Sequence, residues 1–328
     1  MKKSTKKTLA ISGVAAFGIT AVTIIHRLTL KYLMRIALDR KAPKAVDRHR
    51  DKFIGSKETA KLLKSVSATS DKLKYGDCET VFISSHDGIR LVGHWHECEN
   101  TERVVIAMHG WRSSWSQDFG AISDFWHDNK CSVLYVEQRS HGDSHGDYMG
   151  FGVLERYDCF EWIKWVNKRT DGKLPIYLAG ISMGATTVLM ASGFNLPENV
   201  KGIIADCGFS SPRAIWKHVV ERHLHLPYGI YKSTAEDMYR QKNKVSMDYS
   251  CSDALQNCRI PVLFIHGSDD RFVPIDMTFE NYKACASQKE LLIVVGAEHG
   301  MSYLVDKESY EAKIKDFWGK YDNLKTKL

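Results

Sequence analysis

Residues 180–184 of this 328-residue chain read Gly-Ile-Ser-Met-Gly, a serine set between two glycines. The apolar run 174–179 (LPIYLA) precedes it, and 183–192 (MGATTVLMAS) follows with helical character. A strand that turns directly into a helix strains the serine backbone and lifts its hydroxyl out of the sheet, while the flanking glycines avoid Cβ clashes. The first helical amides then face developing negative charge. The chemistry expected is attack of the Ser182 hydroxyl on an acyl carbon. A second match, Gly142-Asp143-Ser144-His145-Gly146, runs into Asp147-Tyr148-Met149-Gly150-Phe151-Gly152, a loop composition with no helix behind it. Ser144 is therefore read as a turn residue.

A hydroxyl is a weak nucleophile at neutral pH and needs an adjacent base. Among 14 histidines, His299 lies in Gly296-Ala297-Glu298-His299-Gly300, directly after the apolar run 291–295 (LLIVV). It is the expected base, and Glu298 beside it is read as solvated. An imidazole base needs a carboxylate to hold its tautomer and to stabilise its protonated form. The stretch 261–274 (PVLFIHGSDDRFVP) supplies Asp269 and Asp270 after another strand. Asp270 is preferred, with Asp269 as a turn-capping carboxylate; Asp206, at the end of 200–206, is a third candidate. Two backbone N–H groups must face the reacting oxygen. Met183, the residue after the nucleophile, is one. The other is expected from the loop after 103–109 (RVVIAMH), at Trp111 with Gly110 as the close alternative; His109 is read as structural.

Elements that would carry these residues can be traced outward. The β-rich runs 80–85 and 89–95 flank His86-Asp87-Gly88, a hairpin signal. Apolar runs at 103–109, 131–137, 174–179, 200–206, 261–266 and 291–295 alternate with helical periods at 116–129, 153–169, 183–192, 275–287 and 306–319. The expected fold is α/β, a mostly parallel central sheet with helices on both faces and an antiparallel hairpin at one edge. Residues 212–258 interrupt the alternation and are read as a helical cap. Trp216, Leu224, Leu226, Tyr228 and Tyr231 within it suit a hydrophobic acyl or lipid-like substrate. The hydrolytic domain is placed at 76–328.

Residues 1–27 hold the uncharged apolar run 9–25 between Lys6-Lys7 and Arg27, read as an uncleaved membrane anchor or, second, a secretory signal. Residues 28–75 are read as a basic amphipathic helix suited to a headgroup surface, then a Lys-rich linker with a short helix. The basic flanks at both ends give no orientation. The net charge of +7 gathers near this end, which points to a membrane rather than nucleic acid. A hydrophobic content of 44% with 26% charged residues excludes a disordered chain. The eight cysteines contain no C-x-x-C pair and several sit in apolar runs, so free buried thiols are expected, weakly favouring a reducing compartment. His94, His96 and Cys98 on one strand face, and His218, His223 and His225 in the cap, offer metal-ligand types. Neither set has a fourth partner at zinc spacing, so neither metal nor cofactor is expected.

Taken together, HGWRSS at 109–114, EQRSHGDS at 137–144, FGVLERYD at 151–158, GISMG, HGSDDRFVP at 266–274 and GAEHG resemble the α/β-hydrolase superfamily. The chain looks most similar to its bacterial membrane-anchored, serine-aminopeptidase-like (S33-type) and thioesterase-like members, over about residues 79–320. The resemblance implies a Ser-His-Asp hydrolase and places the acid on Asp270. The usual Asp-x-Arg-Gly-His-Gly is here Glu137-Gln138-Arg139-Ser140-His141-Gly142, and Gly208 replaces the usual proline; neither touches the three residues. Cleavage of an ester, thioester or amide in a small acyl, lipid-like or peptide substrate is implied. A peptidase or a non-catalytic binding protein is the alternative.

Overall fold

The runs read as strands assemble into one eight-stranded sheet in the order β1-β2-β4-β3-β5-β6-β7-β8. The strands are β1 Glu79–Ser84, β2 Arg90–His96, β3 Arg103–Met108, β4 Cys131–Glu137, β5 Ile176–Ile181, β6 Val200–Asp206, β7 Val262–Gly267 and β8 Lys289–Val294. The structure is a computed structural model that describes residues 28–41, 62, 64 and 66–322. β1, β2 and β4 pair antiparallel, and every pairing from β4 across to β8 is parallel. Every residue of β3, β4 and β7 is buried, which explains their unbroken apolar runs: both faces of these strands are covered. This is the α/β-hydrolase fold.

Helices Glu155–Arg169, Met183–Ala191 and Cys251–Leu255 cover one face, where Trp162, Ile163, Val188 and Leu255 meet Leu134, Ile106 and Leu178. Ser67–Lys74, Trp115–Phe119, Ser123–Asp128 and Lys307–Tyr321 cover the other, where Phe119, Trp126, Ile314 and Phe317 meet Tyr135, Tyr177 and Ile204. The helical period at 116–129 resolves into two short helices split at Gly120. A Cβ there would stand 2.7 Å from the Ser70 backbone, so the helix Ser67–Lys74 crosses at that glycine. All eight cysteines are free.

Between β6 and β7 the chain forms Pro212–His218, a π-helical turn Val219–His223 and the long helix Tyr228–Asn243. Trp216, Tyr228, Tyr231 and Tyr239 from this segment form a third core with Met183, Phe209 and Val273 at the strand ends. The same core takes in Leu30, Met34 and Leu38 from a helix at residues 28–38. Their spacing of four residues puts them on one face. The helix expected at the start of the 28–75 segment is thus packed on the cap, with Leu28 and Tyr32 on its exposed side. Among the described residues no helix is long and apolar enough to cross a membrane. The apolar run 9–25 lies outside the described residues.

Candidate active site

Ser182 stands at the junction of β5 and the helix Met183–Ala191 with φ 55° and ψ −116°, a conformation costly for a residue with a Cβ. The flanking glycines make the turn possible. A Cβ on Gly184 would lie 1.8 Å from the Met108 carbonyl oxygen, and one on Gly180 would lie 2.3 Å from the Gly184 carbonyl carbon. The helix therefore starts hard against β3, and only glycine fits at both points.

The structure brings the distant candidates to this serine. His299 Nε2 is 2.9 Å from Ser182 Oγ, and His299 Nδ1 is 2.7 Å from Asp270 Oδ2. An ionised carboxylate only accepts, so Nδ1–H donates to Asp270 and Nε2 is left to accept the serine proton. Asp270 Oδ1 accepts the backbone N–H groups of Phe272 and Val273, each at 2.9 Å. His266 Nε2 is 3.2 Å from Asp270 Oδ2 and 2.9 Å from the Val273 carbonyl, with Thr278 Oγ1 at 2.7 Å from its Nδ1. Burial pushes the Asp270 carboxyl up, but His299 and His266 outweigh it and hold the group well below the usual carboxylate range. Burial pushes the His299 imidazole down, but the Asp270 charge and hydrogen bond outweigh that and raise it above the ordinary histidine value.

The other acids have other partners. Asp269 Oδ1 accepts from Ser268 Oγ at 2.7 Å on an exposed turn. Asp206 is buried and accepts from Ser302 Oγ at 3.0 Å. Ser144 is also removed from the chemistry: its hydroxyl donates to the Glu137 carbonyl at 2.6 Å and accepts from Val92 N–H at 2.8 Å, fully buried. His109 uses Nδ1 toward the Gly110 carbonyl and Nε2 toward Gln138 N–H, a strand-end role.

The loop after β3 lies against the serine, since a Cβ on Gly110 would be 3.4 Å from Ser182 Cβ. Its amides are mostly spoken for. Gly110 N–H donates to Asp118 Oδ2 at 2.6 Å, Arg112 N–H to His141 Nε2 at 3.0 Å, and Ser113 N–H to the Gly110 carbonyl at 3.3 Å. Among the described residues no such bond is drawn by the Trp111 N–H between them. Met183 N–H opens its helix, where no intrahelical acceptor is available. Nothing local in the sequence marks Asp118, His141 or His266 for these roles. Only the run Asp-x-x-Val after Asp270 hints at the amide bonds, as an Asp-led turn.

A cavity of about 390 Å³ opens at Ser182 and His299. It runs down the sheet face past Ile181, Ala179 and Ile204, walled by Phe119, Ile122, Trp126, Tyr303, Leu304 and Tyr310. No residue of 212–258 lines it. The expectation that the cap's apolar residues form the substrate surface is therefore corrected: Trp216, Tyr228 and Tyr231 are buried in the core that also holds Leu30, Met34 and Leu38, with Leu224 and Leu226 packed against it. Histidines read as possible ligands have other neighbours. His94 pairs with Glu137 at 3.0 Å, His96 stacks on His127 at 3.6 Å, Cys98 Sγ is 3.6 Å from the His127 carbonyl, and His218 and His223 both approach the Arg271 carbonyl at 3.1 Å. Cys207 Sγ lies within 4.8 Å of ligand-type atoms of Asp270 and His299, but those two groups are already joined to each other.

Comparison with known proteins agrees with this architecture. The profile of the prolyl oligopeptidase family, peptidase S9, matches residues 148–324. Uncharacterized protein YqkD of Bacillus subtilis is 25% identical over 236 residues, covering 72% of this chain and 77% of that protein. Uncharacterized protein YfhR of Escherichia coli K12 is 25% identical over 228 residues, covering 67% and 73%. Among solved structures, the esterase Pf2001 of Pyrococcus furiosus superposes with a TM-score of 0.63 at 21% identity, over 75% of this chain and 92% of that one. An esterase of Exiguobacterium antarcticum gives 0.54 at 17% identity, over 73% and 99%. At those identities the structural likeness speaks for the fold alone.

Proposed function

This chain belongs to the prolyl oligopeptidase family, and from that premise we propose that it is a serine hydrolase acting through Ser182, His299 and Asp270 on an ester or thioester of an apolar acyl group. The observation that carries the reading is the continuous hydrogen-bonded chain from Ser182 Oγ through His299 to Asp270. Ser182 Oγ attacks the acyl carbon while its proton passes to His299 Nε2. The carbonyl oxygen becomes an oxyanion received by Met183 N–H and Trp111 N–H. Collapse expels the alcohol or thiol, which takes the proton back from His299. Water then attacks the acyl-enzyme with His299 again as base, releasing the acid and restoring the serine.

The acyl group is assigned to the cavity under the oxyanion loop, because its walls are mainly aromatic and aliphatic. A peptidase reading is kept because the family is named for its peptidases and the motifs resemble S33-type members. The apolar run 9–25 with its basic flanks supports attachment to a membrane through the N-terminal segment. Recovery of the full chain from membrane pellets after alkaline carbonate washing tests that attachment, and complete release into the wash argues against it.

A fluorophosphonate probe tests the chemistry. Wild type is expected to label and Ser182→Ala to remain unlabelled; an unlabelled wild type favours a binding protein. Turnover of p-nitrophenyl esters of graded chain length is expected. Turnover of aminoacyl p-nitroanilides with none of the esters would replace the ester reading by the peptidase one.

A further inference from the structure

We propose that residues 28–41 are a positioning arm for the oxyanion loop, with Arg112 as the residue through which the arm acts. The inference rests on the hydrolase reading above. A helix leaves its last carbonyls without intrahelical partners, and a guanidinium near that end is favoured by both hydrogen bonding and the helix dipole. The helix at 28–38 ends directly over the loop 110–113, and that loop supplies the partners. Arg112 Nε donates to the Ile36 carbonyl at 2.9 Å, and Arg112 Nη2 to those of Ile36 at 2.5 Å and Asp39 at 2.6 Å. Trp111 Nε1 donates to the Ala37 carbonyl at 2.9 Å.

The arm is itself fastened. Met149 N–H donates to the Leu38 carbonyl and Arg40 N–H to the Asp147 carbonyl, each at 2.8 Å. The Arg40 guanidinium reaches the Gly142 and Ser144 carbonyls. Lys242 pairs with Asp39 at 2.7 Å from the cap side. Leu30, Met34 and Leu38 are buried against cap aromatics.

What the arm holds is a loop under backbone strain. Arg112 has φ 51°, in the left-handed region that a residue with a long side chain avoids unless its surroundings require it. Two partners require it here: His141 on the Arg112 N–H, and the arm on the Arg112 guanidinium. Trp111 is adjacent, its ring bound to the arm and its N–H the oxyanion donor of the hydrolase reading. If the guanidinium loses its carbonyls, Arg112 relaxes toward negative φ, the peptide joining it to Trp111 turns, and Trp111 shifts with its own N–H. The loop is one edge of the cavity, while Phe119, Ile122, Trp126, Ile204, Leu304 and Tyr310 form the wall away from it, so the larger loss falls on the oxyanion. The arm would thus act through the transition state without touching substrate.

The test uses the full chain as wild type, Arg112→Met and Leu38→Ala, the last altering the arm without touching the loop. Folding is checked by circular dichroism. Steady-state kinetics on a p-nitrophenyl ester and inhibition by a trifluoromethyl ketone, whose adduct carries the oxyanion, are measured for each. Both variants are expected to lose at least about tenfold in kcat with KM within about threefold, and the ketone to weaken in parallel with kcat. A folded Arg112→Met with wild-type kcat, or a loss confined to KM with unchanged ketone inhibition, overturns the inference. Should Arg112→Met fail to fold, Leu38→Ala decides by the same two criteria. A wild type that neither turns over nor takes the fluorophosphonate probe overturns the hydrolase reading and this inference together, whereas an active wild type with unaffected variants overturns this inference alone.

Discussion

His299 Nδ1 sits 2.7 Å from Asp270 Oδ2 while its other nitrogen faces Ser182 Oγ at 2.9 Å, so one carboxylate determines which face of the imidazole is basic. Asp270 can do this because its second oxygen is occupied by the Phe272 and Val273 amides and cannot rotate away. Asp270→Asn keeps the shape and those amide bonds in one amide orientation, yet removes the charge and permits the wrong tautomer. Turnover is expected to fall by about 10⁴ while the circular dichroism spectrum stays that of wild type. Normal turnover in this variant would remove Asp270 from the chemistry.

The same pair sets the pH dependence. The His299 imidazole is raised above its ordinary value, burial notwithstanding, by the Asp270 carboxylate. Only the neutral imidazole accepts the serine proton. Activity is therefore expected to be lost as pH falls through this raised value, with the acid limb of kcat/KM lying above that of an unperturbed histidine. In Asp270→Asn the limb should move to lower pH. Stability responds in the opposite sense. A raised folded pKa contributes stability that is fully present below the unfolded value and disappears as pH climbs through the folded one. A wild-type acid limb below the ordinary histidine range would contradict the assignment.

Gly184 tests the turn itself. A Cβ there would overlap the Met108 carbonyl oxygen at 1.8 Å, and the obstacle is backbone on both sides. Gly184→Ala is expected to push the helix Met183–Ala191 off β3, moving Met183 N–H and Ser182 Oγ together. Probe labelling should fall by at least about a hundredfold, since the proposed oxyanion donor and the proposed nucleophile are both displaced. Full labelling would show that the helix start has slack that these contacts do not suggest.

Ser182, His299 and Asp270 are legible in sequence because each follows a strand by a short, recognisable turn, and the sheet does the rest. The helix–strand alternation carries the fold for the same reason. Asp118 and His141 are not legible: they hold Gly110 and Arg112 through side-chain contacts whose partners depend on the tertiary arrangement. The role of the cap is misjudged from sequence because Trp216 and Tyr231 have the same composition whether they face a ligand or a helix. The partner, Leu30-Met34-Leu38, lies some 180 residues earlier, and no local pattern joins the two. The need for glycine at 120 is hidden likewise, since the Ser70 backbone that crosses there comes from 50 residues earlier.

Cap and cavity can be separated by mutation. Ile122 lines the cavity and Trp216 does not. Ile122→Trp is expected to shift preference toward shorter acyl chains, with kcat/KM for the longest productive ester falling most. Trp216→Ala should instead cost about 3–5 kcal/mol of stability through the space left in the core that joins the cap to Phe151 and Met34, without changing the order of chain-length preference. A reordered preference in the Trp216 variant would return the cap to the substrate site.

Arg139 and Asp158 anchor the stretch that follows β4. Arg139 Nε and Nη2 meet the two oxygens of Asp158 at 2.6 and 2.7 Å, both side chains almost fully buried, and Asp87 adds a contact at 3.0 Å to Nη1. Two desolvated charges in this geometry offset each other's burial, but one alone does not. Asp158→Ala is expected to destabilise the fold by about 3–5 kcal/mol, because the guanidinium is left inside with only half-exposed Asp87 to meet it. Replacing both, as Arg139→Met with Asp158→Leu, should recover much of that loss, since the apolar pair removes the charge instead of stranding it. Equilibrium urea unfolding of the three proteins distinguishes these outcomes. A double variant no more stable than Asp158→Ala would mean that the pair contributes attraction beyond its own desolvation.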